Sequence, residues 1–193
     1  MAKKESTFFN MVLTLLVITL VASSALGYIY ELTKEPIARA KLAKKVTALQ
    51  TVLPEFDNNP VEDMYEVELK DAEEKLEFYP AVRGGEKIGT AVRTFSKKGF
   101  GGIIWLMVGF DESGNILDVS VLEHKETPGL GTKMDDDKFK EQFRGKNPEE
   151  FNLEVKKDGG EVDAITAATI SSRAFSDGVQ RAYDALQEGG QSE

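Results

Sequence analysis

Hydrophobic positions fall into two regimes along this chain. From Ser6 to Tyr30 there is no charged residue, and Phe8–Tyr30 reads FFNMVLTLLVITLVASSALGYIY, apolar on every side of a helix. At 1.5 Å per residue such a helix spans roughly 34 Å, enough to cross a hydrocarbon core of about 30 Å. Phe8 and Phe9 at one end and Tyr28 and Tyr30 at the other sit where interfacial aromatics anchor a span. A cleaved signal peptide is the competing reading, with Ala22-Ser23-Ser24-Ala25 as its cleavage site. A signal core runs only about 7–15 residues, and the apolar run continues past that site. The pattern predicts a tail over residues 1–7 and a single transmembrane helix over 8–30. Orientation is contested, because Lys34, Arg39, Lys41, Lys44 and Lys45 after the span outnumber Lys3 and Lys4 before it. A plain Lys/Arg count favours a cytoplasmic carboxy-terminal side.

Beyond the span the periodicity becomes that of a folded domain. Residues 31–54 predict a juxtamembrane helix: Pro36 suits a first turn, Ile37, Leu42, Val46, Leu49 and Leu53 recur at helical intervals, and Pro54 stops it. Residues 57–74 are acidic and turn-rich, a loop with room for a short strand. Four strands are then expected, over Phe78–Val82, Lys87–Phe95, Ile103–Phe110 and Ile116–Leu122, with turns at Gly84-Gly85 and Asp111–Gly114. A short helix is expected over Asp136–Phe143. An amphipathic one is expected over Ser171–Leu186, with Phe175, Val179, Tyr183 and Leu186 in one stripe. The expected fold class is α+β: one membrane-tethered domain over 55–193, built on a meandering antiparallel sheet packed by helices.

Composition narrows the chemistry. The chain has 193 residues, no cysteine and one histidine, His124. It offers no thiolate ligands or thiol nucleophiles, and no His-rich metal site is expected. The formal charge of −9 argues against nucleic-acid binding, and residues 31–193 carry 22 Lys/Arg against 32 Asp/Glu. The run Asp135-Asp136-Asp137 reads as a complement to a helix dipole rather than a metal site.

Two stretches carry candidate chemistry. His124-Lys125-Glu126-Thr127-Pro128-Gly129-Leu130-Gly131 follows a strand, and its Pro and Gly residues allow a tight loop able to present N–H groups to a planar or anionic ligand. A plain connection between strand and helix is the alternative. Asp163-Ala164-Ile165-Thr166-Ala167-Ala168-Thr169-Ile170-Ser171-Ser172-Arg173 places four hydroxyl residues at a helix amino terminus, which suits a phosphate. Ordinary N-capping by Thr169 or Ser171 is the alternative there.

Taken jointly, HKETPGLG over His124–Gly131 and DAITAAT over Asp163–Thr169 resemble the G subunit of Rnf (Rsx) electron-transport complexes. That family shares an FMN-binding domain with the C subunit of the sodium-pumping NADH:quinone reductase. The turn Lys98-Gly99-Phe100-Gly101-Gly102 is similar to the family's Gly-aromatic turn. The resemblance implies covalent FMN, attached by a flavin transferase through its phosphate to the threonine at position 169. Thr166, Ala168 and Ser171 fall in the same motif, Ser171 as a secondary acceptor. Glu126, Thr127, Gly129, Leu130 and Gly131 match the loop that lies against the flavin, with Gly101 and Gly102 beside it. Ala167 stands where the family usually has glycine or serine, which would matter if that position needs a positive φ.

The resemblance further implies an electron relay with no catalytic residue of its own. It would work within a ferredoxin:NAD⁺ oxidoreductase coupled to Na⁺ or H⁺ transport, whose other membrane, iron–sulfur and flavin subunits are its partners. The soluble part would stand on the extracytoplasmic (periplasmic) side of the inner membrane. Thr14, Thr19, Ala22, Ser23, Ser24, Ala25 and Gly27 would favour close contact with neighbouring helices. The C subunit of the quinone reductase, a hydrolase using Ser171 or Thr169 with His124, and a non-redox membrane-anchored scaffold are the competing readings.

Overall fold

The computed structural model describes residues 7–68 and 75–189. Lys3, Lys4 and all of the expected tail but residue 7 lie outside them, as does the end of the acidic loop. By its contacts the chain divides into two units, one ending at Ala43 and one beginning at Lys44.

In the first unit, helix α1 (Phe8–Val52 in full) is the one helix among the described residues long and apolar enough to cross a membrane. No residue of its most apolar stretch is buried within the chain. Thr14 and Thr19 satisfy their hydroxyls on carbonyls one turn back, at 2.7 Å to Asn10 and 2.9 Å to Leu15. Neither hydroxyl is then left demanding a partner in lipid. No separate helix begins at Pro36, which lies inside α1. Proline lacks an N–H and removes one intrahelical hydrogen bond there, yet the flanking turns continue. Of the expected stripe, Ile37, Leu42 and Val46 are exposed and Leu49 and Leu53 are buried.

The second unit is a five-stranded antiparallel meander in the order β1-β2-β3-β4-β5. The strands are β1 (Tyr65–Val67), β2 (Leu76–Arg83), β3 (Glu86–Gly99), β4 (Gly102–Phe110) and β5 (Ile116–Glu123). All four expected strands are present, and the loop supplies β1. Both faces of the sheet are covered, which is why β4 is buried almost without alternation.

One face carries helix α3 (Thr169–Gly189). Phe175, Val179 and Ala182 pack into a core with Val92, Leu106 and Val108, joined by Phe139 and Phe143. The Phe175 ring lies 5.2 Å from that of Phe139 and 5.0 Å from that of Phe143. Gly178 brings α3 close to the sheet: a Cβ there would lie 2.8 Å from Leu106 Cδ1, and its carbonyl accepts the Thr94 hydroxyl at 3.0 Å. The other face carries the last turns of α1, where Ala48, Leu49 and Val52 meet Tyr79, Ala91 and Met107. A Cβ on Gly109 would stand 1.9 Å from the Val52 carbonyl oxygen, so β4 and the end of α1 touch backbone to backbone.

A charged network borders this second face. Glu77 accepts from Lys45 Nζ at 2.7 Å, from Arg93 at 2.9 Å and from the Tyr79 hydroxyl. Burial pushes the Glu77 carboxyl up, but hydrogen bonds from Lys45 and Tyr79 and the Arg93 charge outweigh it and hold it below its ordinary value. The Arg93 guanidinium lies 3.9 Å over the ring of Trp105.

The helix expected over Asp136–Phe143 is shorter than its pattern suggests. A 3-10 turn covers Gly131–Asp135 and helix α2 only Asp137–Lys140. Arg144 bonds Asp118 at 2.9 Å and Asp137 at 2.8 Å, and Gly145 then turns with φ 70°. These tertiary bonds and the turn redirect the chain after one helical turn.

Candidate functional site

Two segments some forty residues apart in sequence meet at one end of the sheet. β5 ends at Glu123 and releases the loop Glu126–Gly131. The turn Ala167–Ser171 opens α3. Together with Phe100, at the tip of the β3–β4 hairpin, they line a cleft of about 360 Å³. Its lining takes in Glu126, Thr127, Leu130 and Gly131 from the loop, and Ala167, Ala168, Thr169, Ile170 and Ser171 from the turn.

The cleft is pinned by one carboxylate. Glu126 is 5 % exposed. Its Oε1 accepts the Gly101 N–H at 2.9 Å, and its Oε2 accepts the Ser171 hydroxyl at 2.5 Å. It thereby ties the hairpin, the loop and α3 together. The glycines around it admit no side chain: a Cβ on Gly131 would come within 2.5 Å of Ser171 Oγ and 2.6 Å of Glu126 Oε2, and one on Gly101 within 2.0 Å of the Lys125 carbonyl oxygen. The expected glycines therefore serve close approach at Gly101 and Gly131. Gly102 (φ 110°) and Gly129 (φ 75°) instead supply left-handed turns beside the cleft, outside its lining.

Neither Thr169 nor Ser171 caps α3. Thr169 is its first helical residue, and the hydroxyl of Ser171 is committed to Glu126. The turn is closed by Ser172, which accepts the Ile165 N–H at 2.9 Å and donates to the Ala168 carbonyl at 3.0 Å. Thr169 is half-buried on the cleft wall. The first N–H groups of the helix have no intrahelical partner and carry the positive end of its dipole. Arg173 in the next turn is clamped to Asp158, at 2.6 and 2.7 Å. Hydrogen bonding from Arg173 lowers the Asp158 carboxyl below its usual range, and the same pair raises Arg173.

Ala167 is the one non-glycine residue with positive φ among those described, at 62°. The departure noted in the sequence thus falls where the backbone is left-handed. This residue also divides the motif. Thr166 and Asp163 line a second cleft of about 580 Å³ with Lys133, Lys138 and Gln142, so Thr166 does not join Thr169. Asp163 pairs with Lys156 at 2.7 Å, and its backbone is held by Gln142 on both sides.

Phe100 and Ile170 were not among the candidates drawn from sequence. Phe100 is 71 % exposed, Ile170 46 % and Leu130 40 %, and all three line the cleft. The signal for Phe100 was an aromatic residue set among glycines. For Ile170 it was an apolar residue between two hydroxyl residues. The resulting chemistry has two parts: an apolar rim suited to a planar ring, and a helix start with a threonine hydroxyl beside it, suited to a phosphoryl group. His124 is occupied otherwise, with its Nδ1 accepting the Glu126 N–H at 3.2 Å. Among the described residues no group of acidic or His side chains could hold a metal ion.

Residues 99–184 match the model of the FMN-binding domain. The chain is 40 % identical over 162 residues to the G subunit of an ion-translocating oxidoreductase complex from Stutzerimonas stutzeri, covering 80 % of this chain and 70 % of that one. It is 33 % identical over 190 residues to the G subunit of a Na⁺-translocating ferredoxin:NAD⁺ oxidoreductase complex from Acetobacterium woodii, covering 93 % and 91 %. Among solved structures, the C subunit of a Na⁺-translocating NADH-quinone reductase from Parabacteroides distasonis aligns with a TM-score of 0.47 at 21 % identity, over 69 % of this chain and 68 % of that one.

Proposed function

The chain belongs to the G-subunit family of ion-translocating oxidoreductase complexes, and on that premise we propose that it is a membrane-anchored electron carrier holding FMN covalently at Thr169. The observation that carries this reading is the meeting of Thr169 with the Glu126–Gly131 loop on one cleft. The residues fit the group. Thr169 Oγ1 would provide the phosphoester oxygen, and the opening N–H groups of α3 would hold the phosphate. Phe100, Leu130 and Ile170 offer apolar surface to the ring. When bound, FMN supplies electron transfer one electron at a time. This chain positions the cofactor, keeps it from diffusing away and sets its surroundings.

A flavin transferase attaches the FMN, and the remaining membrane, iron–sulfur and flavin subunits of a ferredoxin:NAD⁺ oxidoreductase coupled to Na⁺ or H⁺ transport exchange electrons with it. The residues after the span stand on the extracytoplasmic side, where no pool of free FMN replaces a lost cofactor. Protease shaving of intact spheroplasts checks this: the soluble unit is cut from outside, and protection there would reverse the orientation. For the cofactor, the chain co-expressed with a flavin transferase gives a fluorescent band on a denaturing gel, and Thr169→Ala gives a dark one. If both bands fluoresce the acceptor is another residue, with Ser171 the next to replace. If both are dark beside a bright control, the covalent reading fails.

A further inference from the structure

Glu126 is a buried acid held by two neutral donors. It is 5 % exposed and lines the cleft, and its two oxygens are met by a backbone N–H and a hydroxyl, both donors. Among the described residues no Lys or Arg pairs with it. Its enclosure is built: Gly99, Gly101 and Gly131 each meet it or its neighbours so closely that a Cβ would come within 2.0–2.8 Å of the carboxylate or the adjoining backbone. Packing alone does not require a charge here. A carboxylate accepts from both, and an amide keeps both contacts in another way, its oxygen accepting the Gly101 N–H and its NH₂ donating to the Ser171 hydroxyl, which is donor and acceptor alike. Burial at 5 % exposure keeps water from screening a charge held here.

From this geometry we infer that Glu126 tunes the flavin: its fixed negative charge in the cleft wall opposes the arrival of electrons and holds the reduction potential down. The inference rests on the flavin reading above and extends it to the residue that sets the relay's driving force. Glu126 has two separable roles. It positions the hairpin and α3 through its hydrogen bonds, and it acts on the cleft through its charge. Glu126→Gln removes the charge with little change of shape. Ser171→Ala and Glu126→Asp keep the charge and disturb the hydrogen bonds.

The test uses the full chain in detergent, flavinylated by co-expression. In-gel fluorescence of each variant establishes first that the flavin is attached, so loss of the flavin reading is seen separately from loss of this inference. Midpoint potentials are then measured by dye-equilibrated titration, with thermal melting of each flavinylated variant as the control for folding. Glu126→Gln is expected to favour reduction on the order of tenfold, which is 59 mV for one electron. Ser171→Ala and Glu126→Asp are expected to move it less than about threefold, because the charge stays in the wall. The inference is overturned if Glu126→Gln leaves the potential where it was, or if Ser171→Ala shifts it upward as far. Should Glu126→Gln not fold, an upward shift near tenfold in Glu126→Asp would overturn it, since that variant keeps the charge.

Discussion

Replacing Ala167 with glycine should stabilise the chain, and the size of the gain can be worked from the turn itself. Ala167 holds φ 62°, where a Cβ crowds the following carbonyl at about 1–2 kcal/mol. Glycine removes that cost. Against it stands the extra freedom of glycine in the unfolded chain, about 0.4–1 kcal/mol. The methyl group contributes little, because the residue is exposed. Helix propensity does not enter, because α3 begins two residues later at Thr169. The balance is a gain of up to about 1.6 kcal/mol, centred near 0.8 kcal/mol, or about 2–3 °C in melting temperature for a folded unit of this size. Trp105, the one tryptophan, sits in β4 against Arg93 and Phe95 and reports unfolding by fluorescence. Ala167→Val is the counter-experiment: a β-branched side chain is worse still in this conformation and should lower the melting temperature. A glycine variant less stable than the parent, or a valine variant equal to it, would show that the left-handed strain at 167 is not what the turn carries. On the flavin reading proposed above, the glycine variant should also accept flavin at least as fast as the parent, since it relieves the left-handed turn that leads into Thr169.

Other expectations test the frame around the cleft. Gly109→Ala places a methyl carbon where the Val52 carbonyl oxygen stands, 1.9 Å away. With backbone on both sides the strain should cost about 1–3 kcal/mol and expose the end of α1 to limited proteolysis, and a neutral result would contradict the contact. Acidification should weaken the fold. Asp158 and Asp137 lie below their usual 3.8, each lowered first by an arginine hydrogen bond, and Glu77 below its usual 4.5. For a carboxylate depressed in the folded state the stabilisation is present above the unfolded value and lost as pH falls through the folded one. Urea midpoints should hold steady from about pH 7 to 5 and fall below about pH 4. A midpoint that rises on acidification would contradict these assignments. The Asp158 and Asp137 contributions should be small, because those pairs are exposed.

The elements of this protein were legible in its sequence because they are written in local periods. An apolar run without alternation gives the span, β-rich runs bounded by Gly84-Gly85 and Asp111–Gly114 give the meander, and a 3.6-residue stripe from Phe175 gives α3. The candidate cofactor segments were also legible, as two motifs with a recognisable residue order, and the position of Ala167 was marked as the place where a positive φ would matter. Local pattern was a poorer guide where one element passes into another. Pro36 looked like a start and lies inside α1, and the helix expected over Asp136–Phe143 is broken short by long-range bonds to Arg144 and the turn at Gly145.

What the tertiary structure alone decided is which motif residues face each other. Chain order places Glu126 and Ser171 45 positions apart, and only the packing of α3 across the meander brings them within 2.5 Å. The same packing turns Ser171 from an expected cap into a partner for a buried acid. It separates Thr166 from Thr169 across the left-handed Ala167, and it sets exposed Phe100 at the mouth of the cleft. Periodicity follows from each residue's own neighbours along the chain. The pairing of two loops follows from the shape of everything folded between them.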